Sequence, residues 1–430
     1  RRRRVVWQGP LAVALAALAV VAPGPSPHTL ALGAGISPGY YLDKDGKPTF
    51  DEAAQEELLF YEESVDASVA VISYGPIRSL KINGKTVAST NYDDVRVERA
   101  LGELPLREFS EIGVDSRDVA DDVLVIGLGT GITLGAVTSD PLLRNVVCVE
   151  INPAVAAASR YFDHASGAPL DDPRVELVRE DGRSYVLGTK KRFDVITSDP
   201  IHPWTKGSSS LFTVEHFRNC ARVLKPGGVM AQWLPLYQLA PEDYLTAVRS
   251  FAGAFDYVRL YYTGRDTVLI GSKTPWLEKK ITRPYLIASD EAVHKLVADV
   301  EPNTEDRLIL EYTAPRSLYE KTDVDNLATL ADLRVEGGDD EYRAVTALIE
   351  GRLSYLRGEE DEAVAAYRRG LALWPENEDL RQALADIYFE WGMAAAEAGD
   401  DARAREWFGA VLELAPGDEA AAANLEALGG

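Results

Sequence analysis

The run Val123-Leu124-Val125-Ile126-Gly127-Leu128-Gly129-Thr130-Gly131 limits what this chain can fold into more than any other feature. Four apolar residues in a row, three of them β-branched, predict a strand buried on both faces. Glycines on alternate positions follow at once, and a helical pattern begins at Ile132. Glycine lets the backbone turn sharply and approach a ligand closely. Strand, glycine loop and helix together open a doubly wound α/β sheet, whose ligands lie at the carboxyl ends of the strands.

The flanking sequence supplies the rest of such a sheet. Strands are predicted over 122–127, 145–150, 175–179, 193–198, 228–233, 257–262 and 267–271, with helical stretches between most of them. Buried strands alternating with helices imply a mainly parallel sheet. The last two strands lie close together in the chain, which predicts an antiparallel pair. The second strand ends in Glu150, a carboxylate placed to accept from two ribose hydroxyls. The third is followed by Glu180-Asp181-Gly182, where Asp181 is placed to accept from an adenine amino group. The fourth ends in Ser198-Asp199-Pro200. Gly127, Gly129, Thr130, Gly131, Glu150, Asp181, Gly182 and Asp199 thus fall on one rim, which predicts an adenosyl-type cofactor.

Before this sheet, residues 55–92 read as a small antiparallel sheet with a hairpin at Asn83-Gly84, followed by a helix from Asp93 to about Leu104. Beyond it, Gly358, Ala363, Tyr367 and Pro375 recur as Gly399, Ala404, Phe408 and Pro416, each 41 positions on. Small residue, Ala-x-x-x-aromatic and terminal Pro resemble tetratricopeptide repeats, with a longer period that predicts a helical insertion around 378–390. The N-terminus, Arg1 to Arg4 and then an apolar run to Ala22, fits a membrane span or a signal peptide. The expected domains are therefore 1–24 membrane or signal-like, 25–54 linker, 55–110 small β-domain, 111–275 cofactor domain, 276–335 an extension of the catalytic unit, and 340–430 helical repeats. The body is expected to be membrane-associated with the catalytic domain cytoplasmic.

The net charge of −23 repels phosphate backbones and excludes nucleic acid as a partner, whereas a cationic small molecule is drawn in. Cys148 and Cys220, in apolar patterns, read as buried small hydrophobes. No metal-ligand spacing is present.

At the motifs Val125-Ile126-Gly127-Leu128-Gly129-Thr130-Gly131, Cys148-Val149-Glu150-Ile151-Asn152, Glu180-Asp181-Gly182, Phe193 to Pro200, Leu224-Lys225-Pro226-Gly227-Gly228 and Gln232 to Tyr237, the chain resembles the spermidine synthase family of polyamine aminopropyltransferases. It looks closest to the membrane-fused branch, and the resemblance covers about residues 58–320. It implies transfer of an aminopropyl group from decarboxylated S-adenosylmethionine, or use of S-adenosylmethionine itself, with no metal. It implies Asp199 as the catalytic carboxylate and His202, Trp204, Gln232 and Tyr237 as substrate-binding residues, with 200–210 as a lid. The implied partners are a small cationic amine, a protein bound through the repeats, the membrane through the N-terminal segment, and a second copy in a homodimer. The departures from the family are specific. Thr130 stands where the family carries an Asp that contacts the amino end of the donor. His202 replaces a second acidic residue, and Val97-Glu98-Arg99 replaces a Tyr-His-Glu stretch, so that stretch is expected to make no amine contacts. Val87 and Ala88 occupy the region of the substrate-gripping Gln. A methyltransferase and a non-catalytic scaffold are the alternative readings.

Overall fold

The computed structural model describes residues 26–33, 36, 47, 55–64, 67–112, 119–277, 283–334 and 338–429. The chain divides into two compact units, residues 1–89 and 90–430.

The first unit is a four-stranded antiparallel meander of β1 (Glu57–Glu63), β2 (Ser68–Tyr74), β3 (Ile77–Ile82) and β4 (Lys85–Ser89), in that order. Asn83 and Gly84 both take positive φ, 51° and 79°, which is the two-residue hairpin geometry that matches strand twist. Ala70 and Ile72 on one face of β2 are sealed by Ala31 of a short helix, Pro27–Ala31, with Leu58 and Tyr61 packed alongside.

The second unit opens with α1 (Tyr92–Ser110), whose N-cap Asn91 accepts from the Asp94 amide at 2.8 Å. The predicted helix stopped near Leu104, but the real one runs on through Pro105. A proline there cannot donate to the carbonyl four residues back. That carbonyl, on Leu101, instead accepts from Thr197 Oγ1 at 2.8 Å. A side chain of the sheet therefore fills the gap in the helix's hydrogen bonding.

An eight-stranded sheet follows, in the order β12-β10-β11-β9-β8-β5-β6-β7. Its parallel part comprises β5 (Asp122–Ile126), β6 (Asn145–Val149), β7 (Val175–Val178), β8 (Phe193–Ser198) and β9 (Leu224–Pro235). Helices α2 (Ile132–Thr138), α3 (Pro153–Ser159), α4 (Gly182–Gly188), α5 (Val214–Val223) and α6 (Pro241–Ala252) lie between and after these strands in the chain. β10 (Tyr257–Tyr262) and β11 (Asp266–Ser272) form the expected antiparallel pair, and β11 runs antiparallel to β9. Two details differ from the sequence reading. β9 starts at Leu224 rather than at Gly228, because a register shift between Phe193 and Val195 absorbs Lys225 to Gly228. A short edge strand, β12 (Leu286–Ser289), carries no alternating signal long enough to predict it.

The C-terminal part is helical: α7 (Asp323–Ala331), α8 (Asp340–Leu356), α9 (Glu360–Leu373), α10 (Glu378–Glu397), α11 (Asp401–Leu414) and α12 (Glu419–Gly429). α8 pairs with α9 and α10 with α11. The 41-residue period needs no inserted element. It is taken up by long leading helices, 17 residues in α8 and 20 in α10, against 14 in each following helix. In both pairs a ring packs onto a glycine 16 positions earlier in the chain, Tyr367 on Gly351 and Phe408 on Gly392, where an added Cβ has no room. One hydrophobic core runs without a break from Leu124 and Ile196 of the sheet to Phe408 and Ala421 of the last helices.

The expected membrane association is corrected. Among the described residues no helix is long and apolar enough to cross a membrane. The apolar run up to Ala22 lies outside the described residues.

Candidate functional site

The carboxyl ends of β5, β6, β8 and β9 meet at the glycine loop. Gly127, Gly129 and Gly131 all have positive φ (90°, 53° and 85°), which side-chain-bearing residues rarely adopt. At Gly127 a second constraint applies: an added Cβ would stand 2.8 Å from the Asp199 carbonyl oxygen. Glycine thus lets the loops after β5 and β8 touch, and the Asp199 amide donates to Ile126 O at 3.1 Å.

Glu150, 8% exposed, fixes the loop from the end of β6. Its Oε2 accepts from the Leu128 amide at 3.1 Å and its Oε1 from the Asn152 amide at 2.8 Å. Burial pushes its pKa up, and the backbone N–H groups of Asn152, Leu128 and Ile151 oppose that push. Each oxygen keeps lone-pair capacity for a further donor, which suits paired hydroxyls. Asp181 caps α4: its Oδ1 accepts from the Ser184 amide at 2.8 Å and from Ser184 Oγ at 2.7 Å. Gly182 packs on β5, where an added Cβ would meet Ile126 Cγ2 at 2.6 Å.

Thr130 is fully buried and its hydroxyl donates to Glu98 Oε2. The Val97-Glu98-Arg99 stretch thus touches the glycine loop through Glu98. Glu98 lies on the face of α1 that packs on α2, and Thr133 Oγ1 donates to its backbone carbonyl at 3.0 Å. A carboxylate therefore reaches the glycine loop from the helix, although the loop itself carries none. Burial raises the Glu98 pKa well above the usual range, Asp199 and Asp94 raise it further, and the Thr130 hydroxyl lowers it. Its Oε1 is buried without a hydrogen-bond partner.

Asp199 belongs to the same group. Burial, and then the Asp94 carboxylate, push it up to about 7. Asp266, at the start of β11, is pushed up to about 8, by burial first and Asp94 next, with Asp199 adding to the shift. Four carboxylates thus converge from three elements: Asp94 and Glu98 from α1, Asp199 from the end of β8 and Asp266 from β11. Asp94 makes Glu98, Asp199 and Asp266 harder to ionise, and Asp199 does the same to Glu98 and Asp266, so a cation placed among them is favoured.

The wall opposite is aromatic. His202, 2% exposed, lies 5.3 Å from Trp204, 5.0 Å from Trp233 and 5.5 Å from Tyr237, centroid to centroid. Its Nε2 is 3.3 Å from Tyr237 Oη, and the Arg265 guanidinium sits 4.7 Å over the Tyr237 ring. Trp233 Nε1 donates to Asp266 at 3.0 Å, joining the wall to the acidic group. Gln232, opposite Ser198 in the register, gives its amide N–H to Trp233 O at 3.1 Å and leaves its buried Oε1 without a partner. The 200–210 loop is tied down: Ser208 Oγ donates to His202 O at 2.6 Å and Ser209 Oγ to Glu311 at 2.6 Å.

The structure therefore gathers Gly127, Gly129, Thr130, Gly131, Glu150, Asp199, His202, Trp204, Gln232 and Tyr237 around one rim. Asp181 and Gly182 lie at the head of α4, with the Asp181 Oδ1 engaged in the cap. Asp94, Glu98 and Asp266 are additions to the sequence reading. Asp94 and Glu98 stand four apart on a helix, where like charges face each other at a cost. That spacing is the signal that marks them.

Residues 107–281 match the family model described as the spermine/spermidine synthase domain. A polyamine aminopropyltransferase of Escherichia fergusonii is 28% identical over 237 residues, which is 55% of this chain and 75% of that protein. The corresponding Shigella flexneri protein is likewise 28% identical over 237 residues. Among solved structures, a spermidine synthase in complex with the transition-state analogue AdoDATO aligns at a TM-score of 0.45 and 22% identity, covering 61% of this chain and 88% of that one. A spermidine synthase from Thermotoga maritima aligns at 0.44, with 22% identity over 61% of this chain and 87% of that one. Residues 107–281 are thus similar to the spermine/spermidine synthase domain, and the chain shares sequence similarity with polyamine aminopropyltransferases.

Proposed function

We propose that this domain transfers an aminopropyl group from decarboxylated S-adenosylmethionine to an amine acceptor. The observation that supports this most is the convergence of Asp94, Glu98, Asp199 and Asp266 beside the glycine loop, with a buried Glu98 oxygen left unpaired. A propylammonium group satisfies that oxygen, whereas the carboxylate of intact S-adenosylmethionine meets like charge there. Glu98 thereby supplies from α1 the carboxylate that the family places in the loop at the position of Thr130. In this reading Gly127, Gly129, Gly131 and Glu150 hold the nucleoside, with Asp181 and Gly182 at its base end. His202, Trp204, Gln232 and Tyr237 line the amine side.

The chemistry follows from charge. The acceptor nitrogen attacks the carbon next to the sulfonium, the carbon–sulfur bond breaks, and the electron pair leaves with a neutral thioether. The acceptor is an ammonium in water, with an ordinary pKa near 10. Asp199, with a pKa near 7, is a far better base than an ordinary carboxylate and takes the proton. Because the base must be ionised, kcat/KM rises with pH through a limb near 7.

The test is a mass-spectrometric assay of thioether release, offering both adenosyl donors with putrescine, agmatine and spermidine. The decarboxylated donor is expected to win, and Asp199→Asn to lower kcat by about 10²–10⁴-fold. Preference for the carboxylated donor, or an unchanged rate in Asp199→Asn, sinks the reading. We read α8 to α11 as two tetratricopeptide-like repeats and as the surface for a protein partner. Their recurring glycine–aromatic contacts support this.

A further inference from the structure

We infer that Asp379, at the head of the second helical repeat, positions Asp94 in the acidic site by holding the first turn of α1. The inference rests on the functional reading above and extends it to the repeats.

Helix α1 is secured in three places by three sets of residues. At its C-terminal end Glu108 and Glu111 are fully buried and pair with Arg259, and Arg283 meets both. In its middle, Thr133 Oγ1 holds the Glu98 carbonyl and Thr197 Oγ1 the Leu101 carbonyl. Both sets belong to the catalytic domain. The first turn is held from the repeats. Asp379 Oδ1 accepts from Tyr92 Oη at 3.0 Å and from Arg96 Nε at 2.6 Å. Its Oδ2 accepts from Tyr285 Oη, which also accepts from Asn377 Nδ2 at 2.8 Å. The Arg96 guanidinium lies 5.2 Å over the Tyr285 ring. Asp94 sits between the two anchored residues, Tyr92 and Arg96.

This pair is mostly out of water, with side-chain exposures of 17% for Arg96 and 10% for Asp379. Breaking such a pair strands a charge, so its geometry is strongly enforced. The chemical consequence falls on Asp199. Asp199 is faced by Asp94 and Glu98 from α1, by Asp266 from β11, and by Tyr237 with Arg265 behind it. Of these, Asp94 is the charge that acts most strongly on both Asp199 and Asp266. If the first turn swings away, that charge recedes, and Asp199 becomes a weaker base with a lower pKa.

The test uses the full chain and compares wild type with Asp379→Asn, Asp379→Ala and Tyr92→Phe. It follows the pH dependence of kcat/KM, the KM for putrescine at saturating donor, calorimetric putrescine binding and thermal melting. In Asp379→Asn the putrescine KM is expected to rise about tenfold, and the acid limb to move down by about one pH unit. Tyr92→Phe should shift both in the same directions by less, with the donor KM unchanged. Should Asp379→Ala fail to fold, Asp379→Asn and Tyr92→Phe decide the matter. Variants that melt earlier but keep the wild-type limb and putrescine KM overturn the proposal, since Asp379 is then only structural. A wild-type chain that binds putrescine but transfers nothing overturns the functional reading instead. Positioning by Asp379 is then judged on putrescine affinity alone, where equal affinities in wild type and Asp379→Asn reject it.

Discussion

Asp199 and Asp266 keep their protons at pH values where free carboxyls have lost them, because burial and neighbouring carboxylates oppose ionisation. Each has its pKa raised above the unfolded value, so these two groups hold more protons in the folded chain than in the unfolded one between about pH 4 and about pH 8. Stability therefore falls as pH rises through that window. The ligand-free protein should show a melting temperature that drops from about pH 5 to about pH 8, and Asp266→Asn should flatten the drop. A melting temperature that climbs across the window, or one unaffected by Asp266→Asn, would contradict this account. The same residues show where sequence reading stops. Glu150 and Asp199 are legible because each ends a strand that the apolar pattern marks. Asp266 begins a strand that looks like any other, and only the antiparallel pairing of β11 with β9 brings it to the rim.

Among the elements, α1 ties the glycine loop to the rest of the site, and its packing on α2 is unusually close. A Cβ at Gly102 would stand 2.6 Å from Ala136 Cβ and 2.9 Å from Thr133 O. Gly102→Val should therefore push the helices apart, at a cost of about 1–3 kcal/mol. It should also weaken donor binding, because Glu98 moves off Thr130. Chemical denaturation and donor calorimetry on one preparation would test both parts, and a variant as stable as wild type would refute the packing argument. The sequence marked α1 as a helix but ended it early. Its continuation depends on Thr197, 96 positions from Leu101, and no local pattern encodes that contact. The helical character of the C-terminal region was legible in the sequence. The long leading helices were not, because an insertion and an extended helix leave the same spacing.

At the scale of the molecule, the sheet and the repeats share one core, so residues 90–430 should unfold together. Trp391 and Trp407 meet edge to face in the C-terminal helices with centroids 4.8 Å apart, and the part of the fluorescence lost on replacing both with Phe reports on that end of the core. In urea their transition should coincide with the loss of sheet signal by circular dichroism. Two separated transitions would show that the repeats fold on their own.

The contact between Tyr92 and Asp379 spans 287 positions of chain. A ribosome makes protein from the N-terminal end, at about 5–20 residues per second. Helix α1 and the whole glycine-loop sheet therefore emerge well before the residue that fastens the first turn. Within one molecule's synthesis, the glycine-loop rim can form early. The first turn of α1 gains its contacts to Asp379 only when that residue has been made, so the order of assembly runs opposite to the order in which these parts are written along the chain.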